Sequence, residues 1–214
     1  MAAKKLRNKA VLTDRLAQAV DLATELHGRQ RKKTGAPVLS HLLEVCGYTL
    51  RGGGDEDQAI AALLHDSAEK SGGRATLARI EQTFGQKVGK IVLDCTDSFD
   101  GEARPKWINV KEMQVERFRR EALPESCLVY AADKLSNSRE IERRLRAEGP
   151  QIWSEYGGGR DGHLWYFRAM HTVFVEIAGM NPIVAELHEC LTRLETTAEG
   201  GCPDGSQTAE AVSE

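Results

Sequence analysis

The sequence predicts an all-α fold, one compact domain of about eight to ten helices, from three features. Apolar residues recur at steps of three and four along most of the chain. Glycine clusters, prolines, and acidic or hydroxyl residues punctuate these runs where helices would stop and start. No stretch of useful length alternates apolar and polar residues as a half-buried strand would. With 214 residues, 41% apolar and 29% charged, the chain suffices for one well-cored domain. It has no run approaching the ~18 apolar residues of a membrane span. The 29 Lys and Arg against 32 Asp and Glu leave a net charge of −3, which favours neither nucleic acid nor a membrane as partner. Any anion site must be local.

Leu12, Leu16, Val20, Ala23 and Leu26 form the first helical stripe, started by Thr13-Asp14 and ended before His27-Gly28. The second helix is expected to take Ser40 as its N-cap, to carry Leu42, Leu43, Val45, Cys46 and Leu50, and to stop in Gly52-Gly53-Gly54. The third opens on Asp55-Glu56-Asp57, acids suited to the positive end of a helix, and runs through Ile60, Leu63 and Leu64 to Lys70. Residues 76–84, closed by Gly85, and 86–94 read as short helices, 97–105 as a loop and 106–122 as a polar helix. Pro124 suits the first turn of a long helix reaching Arg146, because its missing N–H does no harm there. Gly157-Gly158-Gly159 reads as a flexible connector to a helix over 161–178, whose Trp165, Tyr166 and Phe167 are expected in the core. A last helix follows Asn181-Pro182 to Thr197. Residues 1–10 read as an extension and 198–214 as a disordered tail. Five widely spaced cysteines form no C-x-x-C pair, and Cys46, Cys95 and Cys127 lie in apolar patterns as free thiols would. Without a secretory signal, this composition implies a cytoplasmic protein.

Ionisable residues interrupt the apolar runs at few places. His65-Asp66 ends the run 59–64, His41 opens an apolar helix, and Asp133 lies within 128–135. An unpaired carboxylate there would cost several kcal/mol. A single such pair has an ordinary explanation in a capped helix end. Two imidazoles and two carboxylates together suit a divalent ion such as Mn²⁺, Fe²⁺ or Zn²⁺, with positions left for water or substrate. Such an ion polarises a phosphoryl oxygen and acidifies water. His27 reads as a structural or supporting residue. Arg29, Arg31, Lys32 and Lys33 place four cations in five residues near His41, where a polyanion would need them. On a continuous helix Glu69 shares a face with His65 and Asp66, and Asn137 faces the same side as Asp133. Trp107 either borders the substrate or pins its loop.

The stretches 27–37, Ser40-His41, His65-Asp66-Ser67-Ala68-Glu69 and Ala132-Asp133-Lys134-Leu135-Ser136-Asn137-Ser138-Arg139 resemble the HD-superfamily phosphohydrolases. Within that superfamily they are most like the alarmone-hydrolase domain of Rel/SpoT-type proteins, over residues 10–195. The resemblance implies an HD-type domain over 11–197 and Mn²⁺-dependent removal of the 3′-pyrophosphate from guanosine tetra- or pentaphosphate, leaving GDP or GTP. It implies His41, His65, Asp66 and Asp133 as metal ligands, Arg31 and Lys32 along the nucleotide, and Asn137 at the sugar. Glu69 would belong to an acidic pair that positions and activates water. The second acid of that pair is missing, because Lys70 stands in its place. This departure either weakens catalysis, by ~10²–10⁴-fold if a positioned base is lost, or provides a contact for a substrate phosphate. Two further readings follow: a hydrolase of another phosphorylated nucleotide, such as an adenosine alarmone or NADPH, or a catalytically weakened nucleotide-binding module. Nothing in the pattern reports the oligomeric state.

Overall fold

The computed structural model describes residues 11–101 and 105–197; the expected extension at 1–10 and tail at 198–214 lie outside the described residues. Ten α-helices follow in order: α1 (Asp14–His27), α2 (Val38–Arg51), α3 (Glu56–Leu64), α4 (Ser67–Lys70), α5 (Gly73–Phe84), α6 (Gln86–Cys95), α7 (Trp107–Glu121), α8 (Pro124–Glu148), α9 (Gly159–Ala178) and α10 (Pro182–Thr197). A 3-10 turn over Pro150–Glu155, which the apolar pattern did not signal, joins α8 to α9. Among the described residues, β structure is limited to one isolated bridge between Arg31 and Pro37. The all-α class holds, and no described helix is long and apolar enough to cross a membrane.

Helix starts follow local chemistry where a cap is present. Thr13 Oγ1 accepts from the Arg15 N–H at 3.3 Å at the head of α1. Asp55 and Gln58 form a reciprocal capping box on α3. Pro124 occupies the first turn of α8. α3 and α8 form the centre. Gln58 through Leu64 of α3 and Ser126 through Ser136 of α8 are buried without interruption. Helices buried on every side bring their polar residues into the core too, so these must find partners there. Around this pair pack α1, α2, α6, α9 and α10.

Four expectations change. α2 starts at Val38, not after Ser40, because Pro37 has the extended backbone of a cap and its carbonyl accepts from the Ser40 N–H (3.1 Å) and Oγ (2.7 Å). The third predicted helix is two helices, broken at His65-Asp66, where His65 Nδ1 donates to the Ala62 carbonyl at 2.8 Å. A side chain thereby competes for an acceptor that a continuous helix reserves for its own backbone. Gly157-Gly158-Gly159 is packed against Trp107: a Cβ on Gly157 or Gly158 would lie 2.6 or 2.4 Å from its ring, and Gly158 has φ +79°. Finally, Trp165 is 40% exposed, while Tyr166 and Phe167 are buried as expected. Cys46, Cys95, Cys127 and Cys190 are buried free thiols.

Candidate metal centre

Three elements deliver the ligand candidates. His41 closes the first turn of α2, His65 caps the end of α3, and Asp133 lies midway along α8. All three are buried, and one ligand atom from each lies within 4.8 Å of the others. Nε2 of His41 is 3.1 Å, and Nε2 of His65 3.5 Å, from the same Asp133 Oδ1. Asp66, in the break between α3 and α4, stands at the edge of this cluster, with Oδ1 3.6 Å from His65 Nε2 and Oδ2 paired with Lys70 Nζ.

Hydrogen bonding on the far side of each ring fixes its tautomer. Glu44 Oε2 accepts from Ser136 Oγ at 2.6 Å, so Ser136 Oγ accepts from His41 Nδ1–H at 2.9 Å. The Ala62 carbonyl can only accept, so His65 Nδ1 also carries a proton. A neutral ring turns its Nε2 lone pair toward Asp133, and His65 Nε2 is buried with no hydrogen-bond partner. Burial opposes the charged form of His65, but Asp66 and Asp133 overcome it and raise the pKa of this imidazole. Two Nε2 atoms facing one carboxylate oxygen call for a cation among them, a proton or a metal ion. The donor set therefore fits a divalent ion, with both rings oriented by partners on their other nitrogens.

The electrostatics favour charged carboxylates. Burial pushes Asp133 up, but Lys134 beside it and the two histidines hold it well below the usual range. Burial likewise opposes Asp66, and Lys70, then His65 and His41, reverse that and hold it low. Burial pushes His41 down toward its neutral form despite Asp133. Glu69 behaves oppositely: burial, then Asp97 and Asp66, push its carboxyl up.

The centre lines a cavity of about 170 Å³ together with Glu69, Lys70, Asp97, Lys111 and Lys134. A larger cavity of about 730 Å³ shares Lys32, Glu69, Lys70, Lys111, Lys134 and Asn137 with it and adds Arg31, Lys33, Trp107, Tyr156 and His163. Asn137 bridges the two: Nδ2 donates to Asp133 Oδ1 at 2.6 Å, and Oδ1 lies 3.5 Å from Lys32 Nζ. His27 is enclosed outside the cluster, with Nδ1 2.8 Å from Gln30 Oε1 and Nε2 3.0 Å from Ser67 Oγ.

Residues 19–164, more than half of the chain, match the family model described as HD domain. The chain belongs to the HD-domain family. The human guanosine-3′,5′-bis(diphosphate) 3′-pyrophosphohydrolase MESH1 is 34% identical over 145 residues, 66% of this chain and 75% of that protein. An Aquifex aeolicus protein named guanosine-3′,5′-bis(diphosphate) 3′-pyrophosphohydrolase is 32% identical over 133 residues; they are 60% of this chain but only 18% of that much longer relative. A solved metazoan SpoT ortholog, described as hydrolysing ppGpp, superposes with a TM-score of 0.65 over 86% of this chain and 97% of its own, at 23% identity, a likeness of fold. A Listeria monocytogenes EGD-e structure gives 0.60 over 73% of this chain and 99% of that one, at 26% identity.

In this HD domain Arg31, Lys32, Glu69, Lys70 and Asn137 line the larger cavity and His41, His65, Asp66 and Asp133 the smaller one, while Arg29 of the basic stretch lines neither. Several participants were missed. Lys134 carried a signal, an ammonium inside an apolar run beside Asp133. Lys111 and Asp97 carried none, because their ion pair is made between α7 and the loop after α6. Trp107 both borders the cavity and pins the turn before α9, stacked on His163 at 5.0 Å between ring centroids.

Proposed function

We propose that the chain is a metal-dependent hydrolase that removes the 3′-pyrophosphate of guanosine 3′,5′-bis(diphosphate), releasing GDP, or GTP from the pentaphosphate, with pyrophosphate. The observation that carries this reading is the convergence of two imidazole Nε2 atoms on one carboxylate oxygen beside a lysine-lined cavity. The printed names of the HD-domain relatives supply the substrate class. His41, His65 and Asp133 would hold the ion, with Asp66 Oδ1 as a fourth protein ligand. Mn²⁺ suits this mixed nitrogen and oxygen set, as do Fe²⁺ and Zn²⁺. When bound, the ion polarises a phosphoryl oxygen and lowers the pKa of water.

The chain's own residues do the rest. Glu69 lines both cavities, and burial beside Asp97 and Asp66 raises its carboxyl pKa, which makes it the stronger base for the attacking water. Arg31, Lys32 and Lys111 line the larger cavity along the path of the phosphates. Asn137 orients Asp133 and faces the sugar. The buried thiols fit a cytoplasmic setting, and the partner is a small nucleotide.

Incubation with Mn²⁺ and guanosine tetraphosphate should yield GDP and pyrophosphate in equal amounts, and EDTA or Asp133→Asn should abolish the reaction. Unchanged substrate with metal bound overturns the proposal. Lys70 favours a second reading, hydrolysis of another phosphorylated nucleotide. An adenosine alarmone and NADPH as parallel substrates separate the two readings.

A further inference from the structure

Both carboxylates of the metal centre are divided in the same way. Asp133 turns Oδ1 toward Nε2 of His41 (3.1 Å) and His65 (3.5 Å), and Oδ2 toward Lys134 Nζ (2.9 Å). Asp66 turns Oδ1 toward His65 Nε2 (3.6 Å) and Oδ2 toward Lys70 Nζ. Each anion carries its own ammonium. The two carboxylate–ammonium pairs by themselves sum to no net charge.

The two ammoniums differ in their surroundings. The Lys134 side chain also lines both cavities, but it is only 7% exposed and lies 4.0 Å over the Tyr130 ring, deep in the packing of α8. The Lys70 side chain is 42% exposed and lines both the small cavity and the larger one. Its backbone is held in place: the N–H donates to Asp66 O (3.0 Å), and its carbonyl accepts from Gln30 Nε2 (3.2 Å), beside the basic stretch at 31–33. Lys70 therefore sets a positive charge at the junction of the two cavities.

We propose that Lys70 is a resident counter-cation of the metal centre and a phosphate contact. Its ammonium holds Asp66 Oδ2 before a divalent ion arrives, so the ion must compete with a like charge for that carboxylate. The same ammonium faces the larger cavity, where the phosphates of an anionic nucleotide restore the missing negative charge. Metal alone then binds weakly, and metal and anion each favour the other's binding, as reciprocal linkage requires. The phosphate half rests on the proposed reading of the site; the metal half does not.

Calorimetric titration of Mn²⁺ into metal-stripped wild type, Lys70→Met and Lys70→Asp tests the first half. Titration of guanosine 3′,5′-bisphosphate, which lacks the pyrophosphate linkage, into the same metal-free proteins tests the second. Lys70→Asp should bind Mn²⁺ roughly tenfold more tightly and the bisphosphate roughly tenfold more weakly, with Lys70→Met between wild type and Lys70→Asp in both. Circular dichroism melting identifies any variant that fails to fold, and Lys70→Met then decides alone. Mn²⁺ affinity that is unchanged or weaker in the folded variants, or bisphosphate affinity that does not fall, overturns the proposal. If the affinities move as stated while guanosine tetraphosphate stays intact, the alarmone reading falls and the assignment of Lys70 stands.

Discussion

His41 is oriented by a hydrogen-bonded series that runs away from the metal centre. Arg139 Nη1 donates to Tyr48 Oη (2.6 Å), Tyr48 Oη to Glu44 Oε1 (3.1 Å), Ser136 Oγ to Glu44 Oε2 (2.6 Å) and His41 Nδ1 to Ser136 Oγ (2.9 Å). Each link fixes the direction of the next, because a carboxylate can only accept. Ser136→Ala leaves the His41 Nδ1–H facing no acceptor and frees the ring to change tautomer. Metal affinity should fall about 10–100-fold, with Ser136→Thr restoring most of it, as read by Mn²⁺ titration. Equal affinity in Ser136→Ala and wild type would show that the series is packing alone. The proposed ligands themselves stood out in the sequence, because an ionisable group in an apolar run has few uses. The series did not, since Glu44 and Ser136 each read as an ordinary polar position until α2 meets α8.

The same distinction between local and distant causes decides which helix boundaries were foreseen. α1, α3 and α8 start where Thr13, Asp55 and Pro124 place their caps within a few residues. The break after Leu64 was hidden, because the apolar period is helical on both sides and the interruption comes from the His65 side chain. The glycines at 157–159 looked flexible because their reason, the Trp107 ring, lies far away in the chain. Trp107 stacks on His163, joining α7 to α9, and burial pushes the His163 imidazole down to about 4 from its ordinary 6.5. Between those values the unfolded chain takes up a proton that the folded chain refuses, so stability falls as pH drops from 6.5 to 4. The melting temperature of wild type should decline across this window, and that of His163→Phe should decline less. Parallel slopes for the two proteins would remove His163 from the account.

Across the molecule, a net charge of −3 conceals a partition. Arg31, Lys32, Lys33 and Lys111 outnumber Glu69 and Glu140 in the larger cavity, while Asp66 and Asp133 lie at the centre between α2, α3 and α8, each beside its own lysine. That centre ties together elements brought to one place only by folding, so the unfolded chain offers a metal no comparable site. An ion that binds the folded state alone stabilises it by RT ln(1 + [L]/Kd), about 2.7 kcal/mol at a hundredfold excess over Kd. For a domain of this size, that corresponds to a rise in melting temperature of roughly 5–10 °C. Mn²⁺ added to metal-stripped protein should produce that rise, EDTA should reverse it, and Asp133→Asn should show none of it while still folding. A comparable rise in Asp133→Asn would place the ion elsewhere. Since the measurement uses no substrate, it separates the metal centre from every question about the nucleotide.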